Sequence, residues 1–229
     1  MKTATATDHR DSAAYTLAEA ARYLRLPAAT LRSWVLGRDY PTAAGGRQFP
    51  PLIRAASKRP PLLSFSNMIE AHVLRSLRTE HGVSVKDVRT ALGFAEKSLG
   101  IDRLLLRPEL RGEKGRVFLD RYGELIDLSA SGQLAMRRLF EEHLQRVEWD
   151  RSFPVRLYPF LSPATSSEER PIAIDPRIAF GRPVVARKGI STSAIAERID
   201  AGESIKSIAE DYELRPSEIE QAIVYERAA

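Results

Sequence analysis

The chain has 229 residues, 43% of them hydrophobic, enough for two small domains or one of medium size with real cores. It contains no cysteine, which excludes disulfides, thiolate metal sites and cysteine nucleophiles. Its net charge of +5 is unevenly spread: residues 1–80 carry twelve Lys/Arg against six Asp/Glu, residues 81–167 fourteen against twelve, and residues 168–229 nine against twelve. A basic front and an acidic back imply different partners for the two ends.

Residues 1–14 have no apolar core of the kind a signal peptide needs and read as a loose tail. The first element begins at "YTLAEAARYL", where Thr16 and Glu19 make a capping box and Leu17, Ala20, Ala21 and Leu24 share one apolar face. A turn, "RLP", leads to a second helix, "AATLRSWVLG", with Leu31, Trp34 and Val35 inward and Gly37 as its stop. Helical spacing from Leu31 assigns Trp34 to packing and not to base stacking. Proline and glycine then dominate, and two short extended pieces, Leu52-Ile53 and Leu62-Leu63, flank a basic loop that reads as a β-wing.

A third helix is predicted over roughly Ser66 to Glu80, with Ile69, Val73 and Leu77 on one side, and a fourth from the Ser84 cap. Two strands in "RVFLDRYGELIDL", a helix around "GQLAMRRLFEEHLQRV" and a strand "FPVRLYPFL" follow. The polar, proline-bounded stretch at 161–170 reads as a linker between a region spanning 15–160 and a C-terminal domain, 171–229. The predicted class is mostly α with small β-wing hairpins (α+β): a winged helix-turn-helix followed by a trihelical domain.

The pattern "TLAEAARYLRLPAATLRSW" resembles the N-terminal helix-turn-helix of MerR-like and excisionase-like winged DNA-binding domains. That resemblance implies a recognition helix in the major groove, with Ala28, Ala29, Thr30, Arg32 and Ser33 facing DNA, and a wing on the phosphates. Arg25 and Pro27 stand where such motifs place a glycine and a serine cap. Charge supports the same reading independently. Arg22, Arg25, Arg32 and Arg38 lie on or beside the two helices, Arg47, Arg54, Lys58 and Arg59 on the wing, and Asp39 is the one acid between Arg22 and Arg59. Such clusters gain affinity for a phosphate backbone by counterion release.

From "IAIDPRIAFGRPVVARKG" to the final helix, the chain resembles a C-terminal domain of formerly unknown function associated with VapB-type antitoxins. The matching residues are Asp175-Pro176, Gly181-Arg182-Pro183, Gly189-Ile190, Thr192, Ala201 to Ser204, Ala222 and Tyr225. The resemblance implies a PIN-domain VapC ribonuclease as partner, inhibited by a basic residue inserted among its metal-binding carboxylates. Arg187 and Lys188 lead for that role, with Arg182 beside them, and Val184-Val185 reads as an extended piece able to pair with another strand. In "AGES", glycine stops one helix and serine caps the next. The trihelical core is then Ile195, Ile199, Ile205, Ile208, Tyr212, Leu214, Ile219 and Ile223. "SIAEDYELRPSEIEQAI" has the cadence of a second helix-turn-helix, yet Glu218 and Glu220, placed outward at the start of its last helix, would repel phosphates. This unit is therefore expected to contact protein.

The four histidines are scattered without metal-ligand spacing, and no phosphate loop or nucleophile elbow is present. The sequence thus points to a cytoplasmic, non-enzymatic antitoxin without cofactor, a homodimer that binds its own promoter. The alternative is a MerR-like ligand-responsive regulator with an effector pocket in residues 101–160.

Overall fold

The computed structural model describes residues 8–42, 45–79, 84–106, 146–151, 153–159 and 170–227. Strand β1 (Tyr15–Thr16) leads directly into helix α1 (Leu17–Leu24), and the capping box forms: the Thr16 hydroxyl accepts from the Glu19 N–H, while the Glu19 carboxylate accepts from the Thr16 N–H. Such a cap stabilises a short helix by about 1 kcal/mol. Ala20, Ala21, Tyr23 and Leu24 are buried against helix α2 (Ala28–Leu36), whose Leu31, Trp34 and Val35 close the same core. Trp34 is a packing residue, as its spacing predicted. Gly37, at φ 81, ends α2 as expected.

The wing differs from its prediction. Strands β2 (Arg38–Thr42) and β3 (Gly45–Phe49) form an antiparallel hairpin, pairing Arg38 with Phe49 and Thr42 with Gly45. Leu52 and Ile53 are not a strand, because both of their N–H groups donate to the Trp34 carbonyl near the end of α2, at 2.7 and 3.0 Å. Leu62-Leu63 does lie in a strand, β5 (Pro61–Leu63), between β1 and β4 (Ser57–Lys58). Buried Asn67 fixes the loop between them: its carbonyl accepts from Ala56 and Ser64 N–H, and its amide donates to the Arg54 carbonyl and to Glu70.

Helix α3 (Phe65–Thr79) buries Ile69 and Val73. Helix α4 (Val85–Leu99) starts, as predicted, with the Ser84 hydroxyl accepting from Asp87 N–H. The strands predicted in residues 116–128 and nearly all of the helix predicted at 132–147 lie outside the described residues. Val147 opens strand β6 (Val147–Asp150), which hairpins with β7 (Phe153–Leu157).

The C-terminal unit is a three-stranded antiparallel sheet and three helices. Strands β8 (Ile172–Ala173), β9 (Val184–Val185) and β10 (Ile190–Ser191) precede helices α5 (Thr192–Asp200), α6 (Ile205–Tyr212) and α7 (Pro216–Arg227). Its core contains every predicted residue, with Ile195, Ile208, Leu214 and Ile219 fully inside and Ile199, Ile205, Tyr212 and Ile223 packed around them. The "AGES" reading holds: Gly202 has φ 91 and the Ser204 hydroxyl accepts from Ser207 N–H. Strand β9 is the middle strand of its sheet. Val184-Val185 is extended and pairs with another strand, as predicted, but it does so on both sides within its own sheet and offers no free edge.

Although the linker predicted at 161–170 falls outside the described residues apart from Arg170, the two units touch on both sides of it. Leu157 and Ile174 exchange backbone hydrogen bonds of 2.9 and 2.8 Å. The Tyr225 hydroxyl, buried, donates to the Tyr23 carbonyl of α1 at 2.8 Å.

Candidate nucleic-acid interface and partner surface

Helix α2 presents Ala28, Ala29, Arg32 and Leu36 as one exposed stripe, with Thr30 and Ser33 half-buried at its edge. The stripe follows from the 3.6-residue period, because Leu31, Trp34 and Val35 hold the opposite face in the core. Between α2 and the β2–β3 hairpin lies an open groove of about 660 Å³, whose lining includes Ala29, Thr30, Arg32, Ser33, Arg38 and Gln48. Two alanines at the first turn leave the helix thin, so the backbone can approach a groove floor closely. Pro27 supplies no side-chain cap, and the N-terminal dipole of α2 favours an anion there.

Six of the twelve residues predicted to face DNA gather here: Ala28, Ala29, Thr30, Arg32, Ser33 and Arg38. Arg47 lies on the hairpin opposite Tyr40, and Lys58 and Arg59 are exposed at the β4–β5 turn. The remaining three are committed elsewhere. Arg54 pairs with Glu96 and Asp102 beside α4, and so is not on the hairpin. Arg22 pairs with Glu226 at 3.2 Å. Arg25 donates to the carbonyls of Val224 and Tyr225, at 3.2 Å each, and its guanidinium lies 5.2 Å from the Tyr225 ring centre.

Arg25 explains its own unusual place. It occupies the left-handed turn position, φ 52 and ψ 46, where a glycine is the ordinary choice. Its side chain meets the last carbonyls of α7, which carry the negative end of a helix dipole. Around it, the Thr192 hydroxyl donates to Glu226 at 2.5 Å, and Tyr15 and Tyr23 meet edge-on with centroids 6.4 Å apart. A side chain added at Gly181 would collide with the Tyr15 hydroxyl, so this glycine permits the close approach of the two units.

In the C-terminal unit the position of Glu218 corrects the sequence reading. It is 3% exposed, not outward. The buried stripe of α7 runs through Glu218, Ile219, Ala222 and Tyr225, so the first turn sits under the β9–β10 loop. There Glu218 accepts from Arg187 Nε at 3.0 Å and Nη2 at 2.9 Å, and from the Arg215 N–H at 2.7 Å. The Arg187 guanidinium, against the opposing effect of burial, holds the Glu218 carboxyl down to about 2.

Arg187 also donates to the Glu213 carbonyl at 2.7 Å, and Lys188 pairs with the Glu213 carboxylate at 2.6 Å. Both leading candidates for toxin inhibition thus hold the chain's own second turn in place. Arg182 and Glu220 are exposed. An open groove of about 380 Å³ beside them in sequence is lined by Arg170, Arg187, Arg215, Ser217 and Gln221, with Glu218 at its base. Sequence reasoning missed Arg170, Arg215, Leu36 and Gln48. The helical period from Arg32 could have found Leu36, but Gln48 gave no signal in a stretch that reads as loop.

Residues 13–92 match the family model described as "Putative DNA-binding HTH domain", and residues 172–225 match that of "Protein of unknown function (DUF433)". A protein of Mycobacterium tuberculosis (strain H37Rv) named "Putative antitoxin VapB45" is 29% identical over 91% of this chain and 92% of its own length. "Uncharacterized protein Rv2308" of the same organism is 24% identical over 94% of this chain and 90% of its own. The X-ray structure of Rv2018 from M. tuberculosis has the same fold, with a TM-score of 0.68 at 23% identity, over 94% of this chain and 100% of that one. The likeness to a VapB-type antitoxin read from the residues therefore extends along almost the whole chain, with a helix-turn-helix in front and the domain of formerly unknown function behind.

Proposed function

We propose that this protein is the antitoxin of a type II toxin–antitoxin pair, binding and neutralising a PIN-domain VapC-type ribonuclease and binding its own promoter to regulate the operon. The observation that carries this reading is the 29% identity, across 91% of the chain, to the protein named "Putative antitoxin VapB45". The geometry supports a division of labour. Helix α2 and the hairpin offer DNA an exposed stripe that carries Arg32 and is flanked by Arg38, whereas α7 has one end under Arg187 and the other against α1. A nine-residue reading helix spans few base pairs, so the protein acts as a homodimer on two half-sites about one helical turn apart.

On the partner side, Arg187 and Lys188 fasten the chain's own second turn, and the exposed cations of this unit include Arg170, Arg182 and Arg215, the last also paired with Glu218, with Glu220 exposed on α7. Two assays on purified full-length chain test the proposal. One is gel-shift titration against the chain's own promoter. The other is RNA cleavage by the product of the adjacent reading frame, with and without this chain. Nanomolar promoter binding together with stoichiometric suppression of cleavage is expected. Failure to suppress cleavage removes the antitoxin reading; promoter binding that responds to a small effector instead would favour a ligand-responsive regulator.

A further inference from the structure

The turn before β9 holds the most exposed large apolar side chain among the described residues. Phe180 is 92% exposed, in a left-handed backbone conformation (φ 56, ψ 33), between Ala179 at φ 49 and Gly181 at φ 75. Alanine and phenylalanine are strained there, since Cβ crowds the carbonyl oxygen, and only the glycine is at ease. The turn is nonetheless firmly built. Asp175, 0% exposed, accepts from the Arg177 N–H at 2.9 Å, from the Arg177 side chain at 3.0 and 3.1 Å, and from Arg156 at 3.2 Å. Ile178, Gly181 and Arg182 close it with backbone bonds of 2.9–3.1 Å to Asp175, Ile178 and Ala179, and Gly181 is pressed on Tyr15. Strain held by a rigid frame to put a ring in water is a feature of binding sites. The two other exposed phenylalanines among the described residues lie under guanidinium groups, Phe153 beneath Arg10 and Phe49 beneath Arg89.

We infer that Phe180 is a preorganised anchor that inserts into an apolar pocket of a partner protein, with Arg177 and Arg182 meeting carboxylates at the pocket's edge. The inference rests on the antitoxin reading and names the contact: the partner is the toxin. A rigid aromatic on a fixed turn loses little freedom on binding, and such residues dominate interface affinity. Charge decides between occupants. A second copy of this chain is disfavoured, because the apolar cavity of about 330 Å³ that Trp34 and Phe49 help line among its described residues is edged by Arg38, Lys86 and Arg89, like charges to Arg177 and Arg182. Single-stranded nucleic acid is disfavoured too. A lone exposed ring offers its face to one base and makes no stacking series along a strand.

The test titrates the purified adjacent-gene product with full-length wild type and with Phe180→Ala, Phe180→Leu and Phe180→Gly. Phe180→Ala should weaken toxin binding roughly 30-fold and Phe180→Leu less. Promoter affinity should stay unchanged, and Phe180→Gly should melt no lower than wild type because it relieves the left-handed strain. If wild type binds the toxin and Phe180→Ala binds within about threefold, the anchor is wrong while the antitoxin reading stands. If wild type does not bind, both fall. Loss of self-association or of RNA binding in Phe180→Ala, with toxin affinity intact, would give the ring to another occupant and overturn the inference.

Discussion

The chain carries two helix-turn-helix units whose turns are nearly superposable in description. In the first, Arg25 sits at φ 52, ψ 46 and the Leu26 N–H donates to the Ala21 carbonyl at 2.9 Å; in the second, Glu213 sits at φ 52, ψ 41 and the Leu214 N–H donates to Ala209 at 2.9 Å. Leu26 and Leu214 are both buried. Each turn puts a charged residue where glycine fits best, and each fastens it: Arg25 onto the last carbonyls of α7, Glu213 under Arg187 and Lys188. The second helices then diverge. α2 keeps a stripe free beside a groove, while α7 is covered at one end by Arg187 and Arg215 and docked at the other on α1. A shared backbone thus does not present a shared surface; charge and what is already packed on the helix decide it.

Removing the dock should produce the largest effect. Tyr225 is 2% exposed and joins both units, so Tyr225→Ala should cost about 3–4 kcal/mol by denaturant unfolding. Tyr225→Phe loses only the bond to Tyr23 and should cost about 1 kcal/mol. Equal costs would mean that the hydroxyl, not the packed ring, holds the units together.

The buried carboxylate comes next. Glu218→Ala should destabilise the protein by about 2–3 kcal/mol, because Arg187 and Arg215 lose their shared partner but are exposed enough to resolvate. Since its folded pKa, about 2, lies below the ordinary value near 4.5, its contribution is complete above 4.5 and lost as pH falls toward 2. The urea midpoint of wild type should therefore drop across that window more steeply than that of Glu218→Gln. Identical profiles would remove Glu218 from the acid response.

On the DNA side, Arg32→Ala should weaken promoter binding about tenfold and shallow its salt dependence by about one unit if Arg32 meets a phosphate. Glu220→Ala, on the second unit, should leave both unchanged. A matching gain from Glu220→Ala would place α7 against DNA and dissolve the contrast.

The smallest effect concerns the turns. Glu213→Gly relieves a left-handed residue and loses an exposed pair with Lys188, so the two effects should nearly cancel and its melting temperature should stay close to that of wild type. Arg25→Gly relieves the same strain but loses two carbonyl bonds and the Tyr225 contact, and should cost about 1 kcal/mol. Calorimetric melting of the two variants gives the comparison directly.

Local regularities were legible in the chain itself. The Thr16–Glu19 capping box, the Gly37 and Gly202 stops, the inward face at Leu31 and Trp34, and the C-terminal core from Ile195 to Ile223 each depend on residues within a few positions of one another. Periodicity and capping chemistry encode such features one turn at a time. The β2–β3 hairpin was less legible, since Pro41 and Gly45-Gly46 read as loop while their pairing depends on partners across the turn. Three decisions belonged to the tertiary structure alone. Arg25 finds α7 about 200 positions away, Glu218 is covered by a loop 31 positions upstream, and Val184-Val185 is flanked by β8 and β10. A charged side chain's exposure and an extended segment's free edge are set by whatever else the chain lays over them, and that information is not local to the residue.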